Sequence, residues 1–315
     1  MGRGDTRVLV TGGAGFVGSH VVDAFVEQGA DVLALDDLST GARENVNPSA
    51  ELEEADIRDG AAVRRVLERY APTLVCHLAA QASVTFSVRN PGEDLDTNVR
   101  GTFHICEGAR HCDAPVIFAS TGGALYGDTA PFPTPETFQA EPLSPYGASK
   151  LAGEAYVATW GRLYELPNVV LRLGNVYGPR QSPHGEAGVV AIFSERLLRG
   201  ERPTVFGDGE QTRDYIHAAD VARAFVAAAD KGHPGTFNVG TGRETSVNDL
   251  LAKLQSSAGT AVEPEFAPLR AGELLRSVLD ATRIADELGW RAEIALEEGL
   301  AQTVDSFATR PTSPR

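Results

Sequence analysis

In the string Ser144-Pro-Tyr-Gly-Ala-Ser-Lys150 a phenol and an ammonium stand four residues apart, just after a Ser-Pro pair that marks a helix start. Positions i and i+4 share a helix face, so Tyr146 and Lys150 point into one site. An ammonium beside a phenol favours the phenolate and draws the tyrosine pKa toward neutrality. There the side chain can take a proton from an alcohol or sugar hydroxyl and give it back. That is the chemistry of a reversible alcohol oxidation.

The beginning of the chain supplies the other half of such a reaction. A short apolar strand from Arg7 runs into Thr11-Gly-Gly-Ala-Gly-Phe-Val-Gly18 and then an apolar-periodic helix to about residue 28. Gly12 permits a tight turn, Gly15 lets the backbone approach a pyrophosphate, and Gly18 lets helix pack on strand, while the helix N-terminus offers amide donors. A second strand over 31–35 ends in Asp36-Asp37. An acid there accepts from a ribose 2′-hydroxyl and repels a 2′-phosphate, so the expected cofactor is NAD and not NADP.

Composition narrows the class. A chain of 315 residues can bury a large core, and its net charge of −15 argues against nucleic acid or an anionic membrane as partner. Cys76, Cys106 and Cys112 stand at no metal-ligand spacing, so no metal is expected and the thiols are read as inert in a reducing compartment. No leader pattern and no run of 18 apolar residues occurs, which makes a cytoplasmic location the expectation.

These groups are positioned by strands and helices that alternate as in a parallel, doubly wound sheet. A short strand precedes Asp56, a helix covers 60–70 and a strand 73–78. A long helix is expected over 91–111, and a strand over 115–119 leads to Ser120-Thr121-Gly122-Gly123. The Tyr146 helix follows, then a strand over 168–173. Past residue 174 the pattern loosens, with a helix near 189–199. Residues 214–217 are expected to revisit the sheet, followed by a helix over 220–229 and a strand over 236–239.

Together these motifs resemble an extended short-chain dehydrogenase/reductase of the NAD-dependent epimerase/dehydratase family, and most closely its UDP-glucose (UDP-galactose) 4-epimerase branch. The resemblance runs from Val8 to about Phe307 and rests on the glycine turn, Asp36-Asp-Leu38, Asp56-Ile57, His77-Leu-Ala-Ala80, Asn98, the Tyr146/Lys150 pair, Arg172-Leu-Gly-Asn175, Arg213-Asp-Tyr-Ile-His217 and Arg270-Ala-Gly-Glu273. It implies an α/β fold, a doubly wound parallel Rossmann sheet with a smaller mixed α/β substrate-binding lobe. The implied domains are an NAD-binding domain over 1–173 with about 214–240 returning to the sheet, and a nucleotide-sugar lobe over 174–213 and 241–315. It also implies a homodimer through the helices near 91–111 and 146–164.

The resemblance assigns roles residue by residue. Gly12, Gly15, Phe16 and Val17 line the pyrophosphate. Asp36, Asp37, Leu38, Ser39, Thr40 and Gly41 surround the adenosine ribose, and Asp56 and Ile57 the adenine. Leu78, Ala79, Ala80 and Gln81 pass beneath the cofactor, and Asn98 fixes that backbone. Ser120 stands near the nicotinamide, and Lys150 holds its ribose. On the UDP-sugar side stand Thr121, Gly122, Gly123, Tyr146, Asn175, Val189, Val190, Val205 and Phe206. Arg213 and Arg270 face the diphosphate and Glu273 the uridine ribose.

The chain departs from the family's pattern where relatives carry a proton-passing Ser or Thr. Counted back from Tyr126-Gly127, that position falls on Gly122, and Thr121 is expected to assist in its place. No carboxylate follows Thr121, as it does in dehydratases and uronate decarboxylases, so oxidation and re-reduction is the expected course. Ser277 falls where a bulky residue would confine the sugar pocket, so an N-acetylated sugar is also admitted.

Overall fold

Val8, Leu9 and Val10 are fully buried because β1 (Arg7–Thr11) has a strand on either side and helices above and below. The computed structural model describes residues 6–183, 188–269 and 274–309. In chain order the other strands are β2 (Asp31–Asp36), β3 (Glu51–Glu54), β4 (Leu74–His77), β5 (Val116–Thr121), β6 (Val169–Leu173), β7 (Asn175–Tyr177), β8 (Thr204–Phe206), β9 (Thr212–Arg213), β10 (Tyr215–His217), β11 (Gly235–Val239), β12 (Thr245–Ser246), β13 (Glu265–Ala267) and β14 (Arg276–Ser277). The helices are α1 (Phe16–Glu27), α2 (Gly60–Tyr70), α3 (Val84–Arg89), α4 (Pro91–Leu95), α5 (Gly101–His111), α6 (Pro145–Tyr164), α7 (Val189–Leu198), α8 (Ala218–Lys231), α9 (Val247–Ala258), α10 (Thr282–Leu288) and α11 (Leu296–Ala308).

Seven strands form one parallel sheet in the order β11-β6-β5-β4-β1-β2-β3. Strands buried on both faces read as near-continuous apolar runs, and here alternate residues feed two cores. Val8, Val10, Ile117 and Leu171 join α1 and α8, with Phe25 and Phe225. Leu9, Val75, Phe118 and Val170 join α2, α5 and α6, with Leu67 and Val157. The order reverses between β1 and β4, so a crevice opens at their carboxyl ends, the place where doubly wound sheets bind ligands.

Three elements differ from the sequence-based expectation. The helix over 91–111 is broken by a π turn at Asp96–Arg100, and a separate α3 precedes it. Residues 215–217 do not rejoin the large sheet but pair with β7 in a ribbon of two, and it is β11 that returns, along β6. That ribbon faces a third core of Tyr177, Phe193, Leu197, Val205, Leu250, Leu254 and Leu300, supplied by α7, α9 and α11. Apolar alternation marked 215–217 as a strand, but not which partner it would take.

Candidate functional site

The glycine turn closes on itself. Gly12 is left-handed (φ +70), and a Cβ there would stand 2.8 Å from the Ala79 amide nitrogen, so β1 and the residues after β4 touch backbone to backbone. A Cβ on Gly18 would lie 1.9 Å from the Gly12 carbonyl, which only glycine allows. Phe16 and Val17 open α1, whose N-cap Gly15 has no capping side chain, so its first amides face the crevice uncapped.

Asp36 ends β2 with a buried carboxylate that accepts from Ala14 N and Leu38 N, both at 2.9 Å. Asp37 accepts from the Ser39 amide at 3.0 Å and hydroxyl at 2.6 Å. Thr40 is exposed, and a Cβ on Gly41 would press on Ala14 and on Asp36 Oδ1 at 2.9 Å. Asp56 spends both carboxylate oxygens on Arg58, which holds its pKa below the ordinary value. The Ile57 side chain lies in the core under Gly101, so anything it offers a cofactor comes from its backbone.

Beneath the crevice runs a buried string that the sequence reading did not assign. Thr11 Oγ1 accepts from the amides of Leu78 (3.2 Å) and Ala79 (3.1 Å) and stands 2.7 Å from His77 Nδ1. His77 Nε2 reaches Thr102 Oγ1 at 3.0 Å, and Thr102 donates to Asn98 O at 2.6 Å. With the Thr102 proton committed, Nε2 donates and Nδ1 accepts, so the imidazole is neutral. Burial lowers its pKa to about 3. Asn98 grips Gln81 through both backbone groups, its Oδ1 accepting from Gln81 N and its Nδ2 donating to Gln81 O, each at 2.9 Å. It thus fixes the backbone at Gln81.

On β5 and α6 the reacting groups come together. Ser144 caps α6 through Gly147 N (3.2 Å), Pro145 opens it, and Ser87 of α3 accepts from Tyr146 N at 3.1 Å. Gly147 and Gly153 seat the helix tightly: a Cβ would stand 2.4 Å from Ala124 O at one and 2.8 Å from the Phe118 ring at the other. Tyr146 is partly buried, and desolvation pushes its pKa up to about 12, against the pull of hydrogen bonding with Thr121. The ammonium that was expected to lower it turns to the strand: Lys150 Nζ donates to Ala119 O at 3.0 Å and stands 4.8 Å over the Phe118 ring. Burial brings Lys150 down to about 8, while Asp94 and Glu154 oppose that fall.

Thr121 stands beside the Tyr146 phenol, whereas Gly122 brings no side chain to it. A Cβ on Gly122 would point at Leu279 Cδ1, 2.5 Å away, and not toward the phenol. Ser120 turns the other way and donates to Glu154 Oε1 at 2.6 Å. Glu154 in turn takes a bidentate contact from Arg172 (2.9 and 2.6 Å), whose Nη1 donates to Tyr126 OH at 2.9 Å. This buried network was legible in principle, because Glu154 continues the Tyr146, Lys150 spacing by four residues.

On the opposite wall, Asn175 presents a buried Oδ1 that has no partner among the described residues, and a Cβ on Gly123 would lie 3.5 Å from it. Val190 and Val205 are core residues, whereas Val189 and Phe206 are partly buried at the start of α7 and the end of β8. Arg213 is half-buried on β9, with Nη1 donating to Thr212 O at 2.8 Å. Arg270 and Glu273 lie outside the described residues. Among the described residues no cluster of His, Cys, Asp and Glu is arranged to hold a metal, and no helix is long and apolar enough to cross a membrane.

A dinucleotide fits these groups: an uncapped helix start behind a glycine turn suits pyrophosphate, and a buried carboxylate at the end of β2 suits ribose hydroxyls and not phosphate. Set beside a tyrosine and lysine at the edge of the next strands, this is the constitution of a short-chain dehydrogenase/reductase. The chain belongs to the NAD dependent epimerase/dehydratase family, whose profile matches residues 8–240. A UDP-glucose 4-epimerase of Mycolicibacterium smegmatis is 46% identical over 96% of this chain and 99% of its own. The crystal structure of UDP-glucose 4-epimerase with UDP-glucose from Thermotoga maritima superposes with a TM-score of 0.94 at 48% identity, covering 96% of this chain and 99% of the other. That of the Thermus thermophilus UDP-glucose 4-epimerase in complex with NAD gives 0.91 at 44% identity, with the same coverage.

Proposed function

We propose that the chain is an NAD-dependent 4-epimerase of a UDP-hexose, with UDP-glucose and UDP-galactose as its main pair, acting through a transient 4-keto sugar. The observation that carries this reading is the Thr121 side chain set beside the Tyr146 phenol, whose pKa it draws down, with two glycines and no carboxylate after it. Such a site moves a hydroxyl proton and has no base for elimination. The relatives of that activity at 44–48% identity support it.

When bound, NAD accepts the C4 hydride and later returns it. Tyr146 takes the 4-hydroxyl proton at its phenolic oxygen, and Thr121 bridges phenol and sugar. Lys150 holds the nicotinamide ribose, and Asn98 keeps the backbone at 81 in place. Asn175 accepts a substrate donor through Oδ1. Arg213 and Arg270 grip the diphosphate and Glu273 the uridine ribose, so the ketone turns about its tether and is reduced on the other face. Ser277 lines a cavity with Gly122, Gly123 and Leu279, and its small side chain admits UDP-N-acetylglucosamine as a second substrate. The nucleotide lobe is 1–173 with the returning stretch up to 240, and the remainder forms the sugar-nucleotide lobe. The enzyme works as a cytoplasmic homodimer, joined across α5 and α6.

The test is incubation with UDP-glucose, UDP-galactose, UDP-N-acetylglucosamine and UDP-glucuronate separately, without added NAD. C4 epimers from the first two are expected. Net NADH with no epimer, or protein purified free of NAD(H), would sink the proposal.

A further inference from the structure

Asp94 sits on α4 with 1% of its surface exposed, and neither the glycine turn nor the Tyr146/Lys150 motif accounts for it. Its Oδ1 accepts from Gln81 Nε2 at 2.8 Å and from Asn98 Nδ2 at 3.1 Å. Both donors are neutral amides, and a buried carboxylate held by amides alone leaves its charge uncompensated. Lys150, also buried, is an ammonium that feels its charge. Asn98 Nδ2 also donates to Ser149 Oγ at 3.0 Å, so the residue next to Lys150 hangs on the same amide. Lys150 itself is 3% exposed, and its one described hydrogen bond goes to a carbonyl. Three titratable groups are coupled to it: Asp94 from α4, Glu154 from its own helix, and His77, uncharged, from β4. Glu154 is already neutralised by Arg172 in a bidentate pair. Of these two carboxylates, that leaves Asp94 without an ion pair of its own among the described residues.

We propose that Asp94 is a positioning residue whose carboxylate is the counter-charge of Lys150, keeping that lysine cationic inside the site while its hydrogen bonds pin Gln81 and Asn98. The same charge opposes ionisation of Tyr146. It therefore raises the titration midpoints of both working groups and sets the pH at which the site is poised. This rests on the proposed function only for its activity readout.

The sequence contains three lysines, Lys150, Lys231 and Lys253, so 13Cε-lysine NMR of the full chain yields three titrating signals, with Lys150 assigned by its loss in Lys150→Arg. In the isosteric Asp94→Asn the Lys150 midpoint should fall by about one pH unit or more, leaving Lys231 and Lys253 in place. No fall, or a fall seen in Glu154→Gln but not in Asp94→Asn, overturns the proposal. Should Asp94→Asn fail to fold, the wild-type chain serves: the Asp94 13Cγ signal must step at the Lys150 midpoint, and its absence overturns the proposal equally. With UDP-glucose as substrate, both limbs of the kcat/KM profile should move to lower pH in Asp94→Asn, a displacement that mere loss of packing does not produce. Loss of epimerase activity in every chain with an intact NMR shift would count against the proposed function and leave the role of Asp94 standing.

Discussion

In the proposed mechanism the phenol of Tyr146 must lose its proton near neutral pH although burial holds its pKa near 12, and in the protein alone the side chain working in that direction is Thr121. Tyr146→Phe should therefore lower kcat by roughly 10³-fold or more while bound NAD is retained, and Thr121→Ala by about 10²-fold, with Thr121→Ser restoring most of it. Steady-state conversion of UDP-glucose to UDP-galactose reads both. Wild-type turnover in Thr121→Ala would remove threonine from the proton path. The spacing of Tyr146 and Lys150 was legible because helix geometry is local, and Asp36 because it ends an apolar strand. Which way Ser120, Thr121 and Lys150 point was not, since a strand end obeys its neighbours: the orientation was set by Glu154 and Leu279, residues far from it in sequence.

At the scale of elements, the string Thr11, His77, Thr102 ties β1, β4 and α5 into one frame under the crevice. His77 titrates near 3 when folded and near 6.5 when unfolded. Between those values the unfolded chain binds the extra proton, so stability is fully present above about pH 6.5 and drains away as pH falls toward 3. His20, lowered to about 4, acts in the same sense. Melting temperature should thus decline from pH 7 to 4.5, and His77→Gln should melt lower at pH 7 yet show a shallower decline. Parallel curves for the two proteins would refute this. The alternation of apolar runs with glycine turns announced a parallel sheet and the succession of its strands along the chain up to β6. The broken helix and the β7–β10 ribbon were hidden, because a π turn and the choice of strand partner follow from tertiary packing and not from period.

At the scale of the molecule, α5 and α6 carry an aromatic stripe of Phe103, Tyr156, Trp160 and Tyr164 in edge and tilted contacts, with Leu163 64% exposed beside it. An exposed apolar patch of that kind suits a second copy of the chain, on which the same stripe would meet itself. Light scattering after size exclusion should give twice the chain mass, and Tyr156→Glu with Leu163→Glu should halve it without lowering helix content; a monomeric wild type would dispose of the dimer. Arg180, just past β7, is strapped to the start of the chain: it reaches Asp23, His20 Nδ1 at 3.3 Å and Asn45 O at 3.1 Å. Leu279 lies against Gly122 at the end of the catalytic strand, and its amide is held by Asp214 while Val278 and Asp280 are stitched to Thr134. On the proposed function, the wall that would size the sugar and the strand that would move the proton are thus a single mechanical part. Anyone reshaping the enzyme for a larger sugar at 277–279 will be retuning its rate with the same cut, so selections for new specificity should be run on turnover and not on binding.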